Sequence, residues 1–181
     1  PVEVPPVEPM TVSSLIRKPS GQVPQARAGA NVVTRGIAVH RMLQRLPDVE
    51  DKLRLPQARA IATAAGFDEA LADEVLDLLA HDAFSTIFMA GGLSEIPLMV
   101  DLPNLGGRIV GRIDRLVVEP DRIAAIDYKT SRHVPTDAAD ADPAHVQQMA
   151  AYREALHRIH PGARIEVALL YTEGPKLIWL P

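Results

Sequence analysis

Two short stretches of the sequence contain residue types that can bind a metal ion and stabilise negative charge. The first is GRIDR at 111–115, and the second is IDYKT at 126–130. Asp114 lies inside one apolar run, Asp127 ends the next, and Lys129 follows two residues later. Because alternate side chains of a strand share a face, Asp127 and Lys129 point to the same side.

This combination predicts a metal-assisted reaction at a phosphate. Two carboxylates that meet at a sheet edge repel each other unless a cation lies between them. Oxygen-rich sites with open positions favour Mg²⁺ or Mn²⁺, and a neighbouring lysine can orient water or stabilise charge on a phosphate. These are the requirements for metal-assisted phosphodiester hydrolysis. The simpler alternative is an ordinary salt bridge between Asp114 and Arg112, Arg115 or Lys129.

A β-hairpin is needed to bring the two aspartates together. Apolar runs predict strands over 94–102, 108–118 and 122–128. The three-residue break at 119–121 is typical of a tight turn, which makes the second and third strands a hairpin. Asp114 and Asp127 then lie side by side across it.

The remaining elements predict an α/β protein. Helical periodicity appears over 35–46, 56–65, 68–80 and 143–159, and further strands are expected over 164–171 and 176–180. A hairpin followed by a helical crossover gives a mixed central sheet flanked by helices, with an N-terminal helical cap. Residues 1–30 are proline-rich and predict an arm or linker, which leaves 31–181 as one domain.

Composition excludes several classes of protein. The chain has 181 residues and no cysteine, which excludes disulfides, thiolate zinc sites and cysteine-ligated iron–sulfur clusters. No apolar run is long enough to span a membrane, and no signal peptide begins the sequence, so a cytoplasmic location is the default expectation. A P-loop is absent, so helicase or ATPase activity is not expected in this stretch. The net charge of −4 argues against a free-standing nucleic-acid binder with a basic face.

Five motifs resemble, in the same order, those of the RecB-type nucleases of the PD-(D/E)XK superfamily. They are RGIAVHRMLQ at 35–44, SEIPL at 94–98, GRIDRL at 111–116, IDYKT at 126–130 and QMAAY at 148–152. Within that family the chain most resembles the C-terminal nuclease domain of the AddA-type subunits of AddAB helicase–nucleases. That likeness rests on LQRLP at 43–47, DYKTSR at 127–132 and YTEG at 171–174. The resemblance implies a restriction-endonuclease-like fold for 31–181.

The resemblance also implies a metal site. By position, His40 would be a ligand through an imidazole nitrogen, and Asp114 and Asp127 would be the carboxylate ligands. The carbonyl of Tyr128 would complete the set. The expected ion is Mg²⁺, with Mn²⁺ as an alternative.

Further roles are carried over in the same way. Lys129 would be the catalytic lysine, and Glu95 matches an acidic position that binds a second metal or a metal-bound water. Gln148 and Tyr152, one helical turn apart, would face the site and contact DNA or hold the lysine. His145 stands where relatives often carry an aromatic residue; like the other histidines near the last helix, it is expected at the surface.

The function implied by the resemblance is exonucleolytic cutting of unwound single DNA strands during double-strand break repair. It further implies an AddB-like partner subunit and an ATP-driven helicase motor elsewhere on the same polypeptide. Two alternatives remain open: a catalytically silent DNA-binding or docking module of the same fold, and a stand-alone RecB-like nuclease. A Cas4-like enzyme is disfavoured because that group uses cysteines for an iron–sulfur cluster.

Overall fold

The computed structural model describes residues 10–11, 26–89, 91–102 and 107–181. Four α-helices lie in these ranges: α1 (Ala26–Arg45), α2 (Asp51–Ala64), α3 (Glu69–Ala80) and α4 (Pro143–Ile159). The strands are β1 (Met10–Thr11), β2 (Leu93–Leu102), β3 (Gly107–Val118), β4 (Arg122–Lys129), β5 (Arg164–Tyr171) and β6 (Lys176–Trp179). No helix in these ranges has the length and apolar character needed to cross a membrane.

All six strands belong to one mixed sheet. β2 pairs antiparallel with one edge of β3 along nearly its whole length. The opposite edge of β3 has two partners, because β1 pairs at Ile109–Val110 and β4 pairs at Arg115–Val118. β4 then pairs in parallel with β5, and β6 pairs antiparallel with β5. Residues 111–114 of β3 therefore lie between its two partners on that edge.

Helices cover both faces of the sheet. α4 packs on one face, where Met149 and Leu156 belong to a core cluster with side chains from β2, β3 and β5. The layer of α1, α2 and α3 packs on the other face, where Val39 and Leu43 belong to a second cluster. Burial of these apolar side chains is the main force that holds the layers together. Any site between the two strands of the hairpin can receive side chains from both layers.

The predicted α/β fold, a mixed sheet flanked by helices with a helical N-terminal cap, is confirmed. The helix predicted over 143–159 and the strand predicted over 164–171 have the observed bounds. Pro143 suits the first turn of that helix because the missing N–H would have had no partner there, and Asp142 caps it by accepting from the N–H of Ala144.

Two helices begin earlier than predicted. α1 starts at Ala26 instead of residue 35, because residues 32–37 bury no side chain fully and so carry no periodic apolar signal. α2 starts at Asp51 instead of Pro56, which lies inside the helix and costs it one backbone hydrogen bond. The proline-rich arm predicted over 1–30 lies outside the described residues, apart from β1 and the first residues of α1.

Candidate metal centre

Three carboxylates occupy one row across β2, β3 and β4. The antiparallel register of β2 and β3 puts Glu95 opposite Asp114. On the other edge, the ladder between β3 and β4 ends at the pair Arg115↔Ile126, so the next position on each strand is Asp114 and Asp127. The hairpin thus brings the two predicted aspartates together, and β2 adds a third acidic residue.

The strands β3 and β4 separate at Asp114, whose side chain fills the opening. Asp114 Oδ2 accepts a 2.7 Å hydrogen bond from the backbone N–H of Tyr128. His40, on α1, has its Nδ1 3.7 Å from the same oxygen. The His40 ring also meets the Tyr128 ring edge-on, with 5.6 Å between centroids. One carboxylate therefore links β3, β4 and α1.

His40, Glu95 and Asp114 form a group that can hold a metal ion. Each offers one ligand atom, and these atoms all lie within 4.8 Å of one another. All three side chains are half-buried, so an ion would be reachable from solvent. One imidazole nitrogen and two carboxylate oxygens suit a divalent cation such as Mn²⁺ or Mg²⁺. The sequence predicted His40 and Asp114 for this role and placed Glu95 beside a second metal or a bound water.

Glu95 reaches the group through an unusual backbone conformation. Its φ of 56° lies in the left-handed region, and Glu95 itself is not paired with β3, although its neighbours Ser94 and Ile96 are. A non-glycine residue in this region costs about 1–3 kcal/mol, and such strain is concentrated at functional sites. Its Oε2 accepts a 2.8 Å hydrogen bond from Arg112 Nη1. Arg112 therefore pairs with Glu95 and not with Asp114.

Asp127 is held by a lysine and an amide. It is buried, and its Oδ2 lies 2.7 Å from Lys129 Nζ. Its Oδ1 accepts from Gln148 Nε2 at 2.9 Å, while Gln148 Oε1 accepts from Lys129 Nζ at 3.1 Å. Gln148 thus bridges the carboxylate and the ammonium. Of the two roles the sequence left open for Gln148, this contact matches holding the lysine.

Tyr152 fixes Gln148 to the sheet. Its hydroxyl donates a 2.8 Å hydrogen bond to the backbone carbonyl of Arg112 and accepts from Gln148 Nε2 at 3.3 Å. Its side chain is buried in the α4 layer, and only 2% of the surface of Tyr152 is exposed to solvent. The described contacts of its hydroxyl are therefore with neighbouring residues of the site.

The charges of the site shift the pKa values of its acids and bases. Burial raises the pKa of Asp127; Lys129 opposes this shift and Asp114 adds to it. Burial lowers the pKa of His40, but the hydrogen bond and charge of Asp114, together with the charges of Asp127 and Glu95, outweigh it and raise the pKa above 6.5. The His40 shift reflects the negative charge around it, which a bound cation would neutralise, whereas the Asp127 shift is due mainly to burial.

Arg115 supports the site from outside the ligand group. From the sequence it was only one of the possible salt-bridge partners of Asp114. It is fully buried, and its guanidinium donates to the carbonyls of Ile87 and Met89 at 2.9 and 2.8 Å and to Ser94 Oγ at 3.1 Å. A Cβ at Gly92 would overlap it. Arg115 therefore secures the segment that leads into Glu95, and only the structure reveals this.

His145, expected at the surface, lies close to the lysine. It is half-buried on α4, and burial together with the charge of Lys129 lowers its pKa. No described residue bonds its Nδ1, which is buried. The one indication in the sequence that His145 lies near the site was its position three residues before Gln148.

Comparison with known proteins gives a family match over most of the chain. Residues 16–178 match the family model described as the PD-(D/E)XK nuclease superfamily. The solved structure of SSO0001 is 15% identical, with a TM-score of 0.41, over 99% of this chain and 69% of that one. A "Putative exonuclease" from Eubacterium rectale is 14% identical, with a TM-score of 0.49, over 91% of this chain and 62% of that protein, so this chain spans under two thirds of its length. Both likenesses are too distant to bear on function. No curated protein matches the sequence.

Proposed function

Because the chain belongs to the PD-(D/E)XK nuclease superfamily, we propose that it is a metal-dependent deoxyribonuclease that acts on single strands. Its mixed sheet flanked by helices is consistent with the restriction-endonuclease-like fold of that family. The observation that carries the proposal is the row of Glu95, Asp114 and Asp127 with Lys129 held beside it. A catalytically silent module would have no need of adjacent carboxylates that raise each other's energy.

The donor set fits a divalent cation. His40, Glu95 and Asp114 would hold it. The sequence also predicts Asp127 and the Tyr128 carbonyl as ligands, but Asp127 is not in this group, and its two oxygens are bonded to Lys129 and Gln148. Mg²⁺ is the expected ion because carboxylates dominate the set, and the imidazole makes Mn²⁺ a suitable alternative. When bound, such an ion supplies Lewis acidity toward a phosphate oxygen and lowers the pKa of water.

The chain's own residues supply positioning and charge. The ammonium of Lys129, oriented by Gln148 and Asp127, would stabilise the negative charge that develops on the phosphate during hydrolysis. Gln148 is in turn held by Tyr152, so the lysine is pre-organised before substrate arrives. Asp114 orients His40 and keeps β4 at its distance from β3.

The wider context rests on the motif resemblance. We infer that the chain is the nuclease part of an AddA-type helicase–nuclease, cutting unwound strands from their ends during double-strand break repair. This places an ATP-driven helicase motor on the same polypeptide, an AddB-like subunit as partner, and the activity in the cytoplasm. The ordered motifs and the stretches LQRLP, DYKTSR and YTEG support this assignment.

The test is hydrolysis of end-labelled single-stranded DNA by the chain in Mg²⁺, in Mn²⁺ and in EDTA. We expect cleavage in both metals and none in EDTA, with short products released from one end. Circular single-stranded DNA, which has no ends, should resist. The isosteric variant Asp114→Asn should lose cleavage and keep its fold by circular dichroism. Binding of the strand without cleavage in either metal would instead identify a silent docking module.

The AddA-type context needs the longer protein. On linear duplex with ATP, Asp114→Asn in the parent chain should abolish degradation of one strand and leave unwinding intact. Loss of unwinding along with degradation would contradict a separate motor.

A further inference from the structure

A groove of about 630 Å³ runs along α1 beside the candidate metal centre. α1 lines one side of the groove with Val33, Ile37, His40 and Arg41, and Glu95 and Arg112 line the other. His40 and Glu95 are also members of the metal-binding group. The groove therefore opens directly onto the proposed reaction centre.

At Val33 and Ile37 the α1 side of this groove is apolar and exposed. Val33 and Ile37 are each 63% exposed, and the neighbouring Val32 is 49% exposed. The face of α1 that packs on the sheet is a different one, formed by Val39, Leu43 and other buried residues. Val33 and Ile37 are thus not needed to bury the helix. We call Val32, Val33 and Ile37 the apolar stripe.

The stripe is close enough to the metal centre to contact nucleotides that neighbour the reacting phosphate. Val33 and Ile37 lie one helical turn apart, and His40 follows almost one turn later. The distance from Val33 to His40 along the helix is on the order of 10 Å. A strand whose phosphate lies at the metal centre would therefore lay its adjacent nucleotides along the stripe.

The chemistry of the groove favours unpaired bases over other occupants. Arg41 provides positive charge in the groove for phosphates, whereas Arg112 is paired with Glu95, and the stripe offers apolar surface for flat, weakly polar faces. In a duplex the base faces are stacked inside, so a duplex would meet the stripe with sugar, phosphate and base edges but no base faces. A single strand exposes those faces, which can bury apolar surface against the aliphatic stripe, as they do against aromatic side chains in proteins that bind such strands without sequence preference.

We propose that the apolar stripe is a binding platform for unpaired bases of the strand being cut. The proposal rests on the nuclease function proposed above and adds what that function lacks, a means of preferring single strands. Since the contact is to the base and not to the phosphate, it distinguishes a normal strand from one without bases.

The test compares two oligonucleotides of equal length and charge: a normal single strand, and one in which the internal nucleotides are abasic. Binding is measured by anisotropy in Ca²⁺ at low salt, and cleavage in Mn²⁺. The wild-type chain should bind the normal strand about tenfold more tightly, the factor expected from burying on the order of 50 Å² of apolar surface against the stripe. Both affinities should fall with salt, but their ratio should persist because the phosphates are identical.

The variant pair makes the assignment specific. Val33→Ser with Ile37→Ser should reduce the ratio to about one and leave the melting temperature unchanged, because both side chains are exposed. The matched control is Ile159→Ser at the end of α4, 47% exposed and outside the groove, which should keep the full ratio.

The outcomes separate the two proposals. Cleavage of both strands at equal rates would overturn the platform, leave the nuclease standing, and indicate that the stripe contacts protein. Base-dependent binding that disappears in the double variant, without any cleavage, would support the platform and overturn the nuclease. Neither cleavage nor base-dependent binding would overturn both.

Discussion

The backbone N–H of Tyr128 donates to the side chain of Asp114 at the point where β3 and β4 part. In a regular hairpin that N–H would donate to a backbone carbonyl. Here Asp114 Oδ2 accepts this hydrogen bond in place of a carbonyl, and the same oxygen lies 3.7 Å from His40 Nδ1. Asp114 therefore holds the strands at the separation that the site requires while it serves as a ligand candidate. Asn at this position keeps an acceptor oxygen but not the charge, which is why it is the variant of choice above.

Lys129→Met should abolish strand hydrolysis and destabilise the protein at pH 8. The substitution leaves the buried Asp127 without the ammonium that lies 2.7 Å away. Breaking a fully buried pair costs about 3–5 kcal/mol, and because the lysine side chain is 14% exposed we expect about 1–3 kcal/mol. Urea denaturation in EDTA measures the loss, and the labelled-strand assay measures hydrolysis.

Two controls isolate that effect. In an Asp127→Asn background the same lysine substitution should cost much less, since no buried charge remains. Lys52→Met, at an exposed site, should change neither stability nor cleavage. An equal cost in both backgrounds would show that Lys129 stabilises by packing and not by charge.

The metal-free protein should lose stability as the pH rises through neutrality. The pKa of His40 is raised above its unfolded value of 6.5, so its contribution is complete below pH 6.5 and is lost as the pH rises through the folded value. The raised pKa of Asp127 acts in the same direction, from 3.8 upward. Unfolding in EDTA at pH 6 and pH 8 checks this, and His40→Gln should flatten the difference over that interval.

Mn²⁺ affinity should show the opposite dependence on pH. A proton on His40 competes with the metal, so affinity should fall as the pH is lowered through the pKa of His40. Calorimetric titrations between pH 6 and 8 measure it. In His40→Gln the affinity should be lower throughout and nearly independent of pH in this interval. A wild-type affinity that does not change would argue that His40 is not a ligand.

Arg115→Met should be among the most damaging single substitutions outside the ligand set. It removes three hydrogen bonds from a fully buried guanidinium and leaves the carbonyls of Ile87 and Met89 without it. We expect a loss of about 2–4 kcal/mol. Mn²⁺ affinity should also drop, because Ser94 beside Glu95 loses its partner. Arg164→Met, whose side chain is 68% exposed, is the control and should be near neutral in both measurements.

Tyr152→Phe should slow hydrolysis while the protein stays folded. Only the hydroxyl is removed, and with it the bonds that hold Gln148 to the carbonyl of Arg112. Loss of about 1.4 kcal/mol of positioning would lower kcat about tenfold with little change in KM. Tyr171→Phe, in the same core cluster, should leave kcat unaffected. A change in KM alone would point to a substrate contact instead.

The sequence predicted those parts of the molecule that local physics determines. Pro143 and the Pro161-Gly162 pair delimit α4 by their backbone chemistry, and β5 is a nearly continuous apolar run. The start of α1 escaped detection because the side chains of residues 32–37 are exposed or half-buried and carry no apolar period.

For the site, residue types and alternation placed Asp114, Asp127 and Lys129 near one another, as the structure has them. Glu95 joins the ligand group through a left-handed backbone conformation, which no sequence pattern predicts. The role of Arg115 depends on contacts with residues far away in the chain, which spacing alone cannot reveal.

The row of carboxylates crosses the strands at right angles, so its members are tied together by register and not by the loops that join their strands. The turn at 119–121 could be lengthened, or a foreign sequence spliced into it, without moving any donor atom. A deletion of one residue within β3 would be different, because the strand would present its alternate face and turn Asp114 away from its neighbours. The site is therefore more sensitive to insertions and deletions within β3 than to changes in the length of the turn at 119–121.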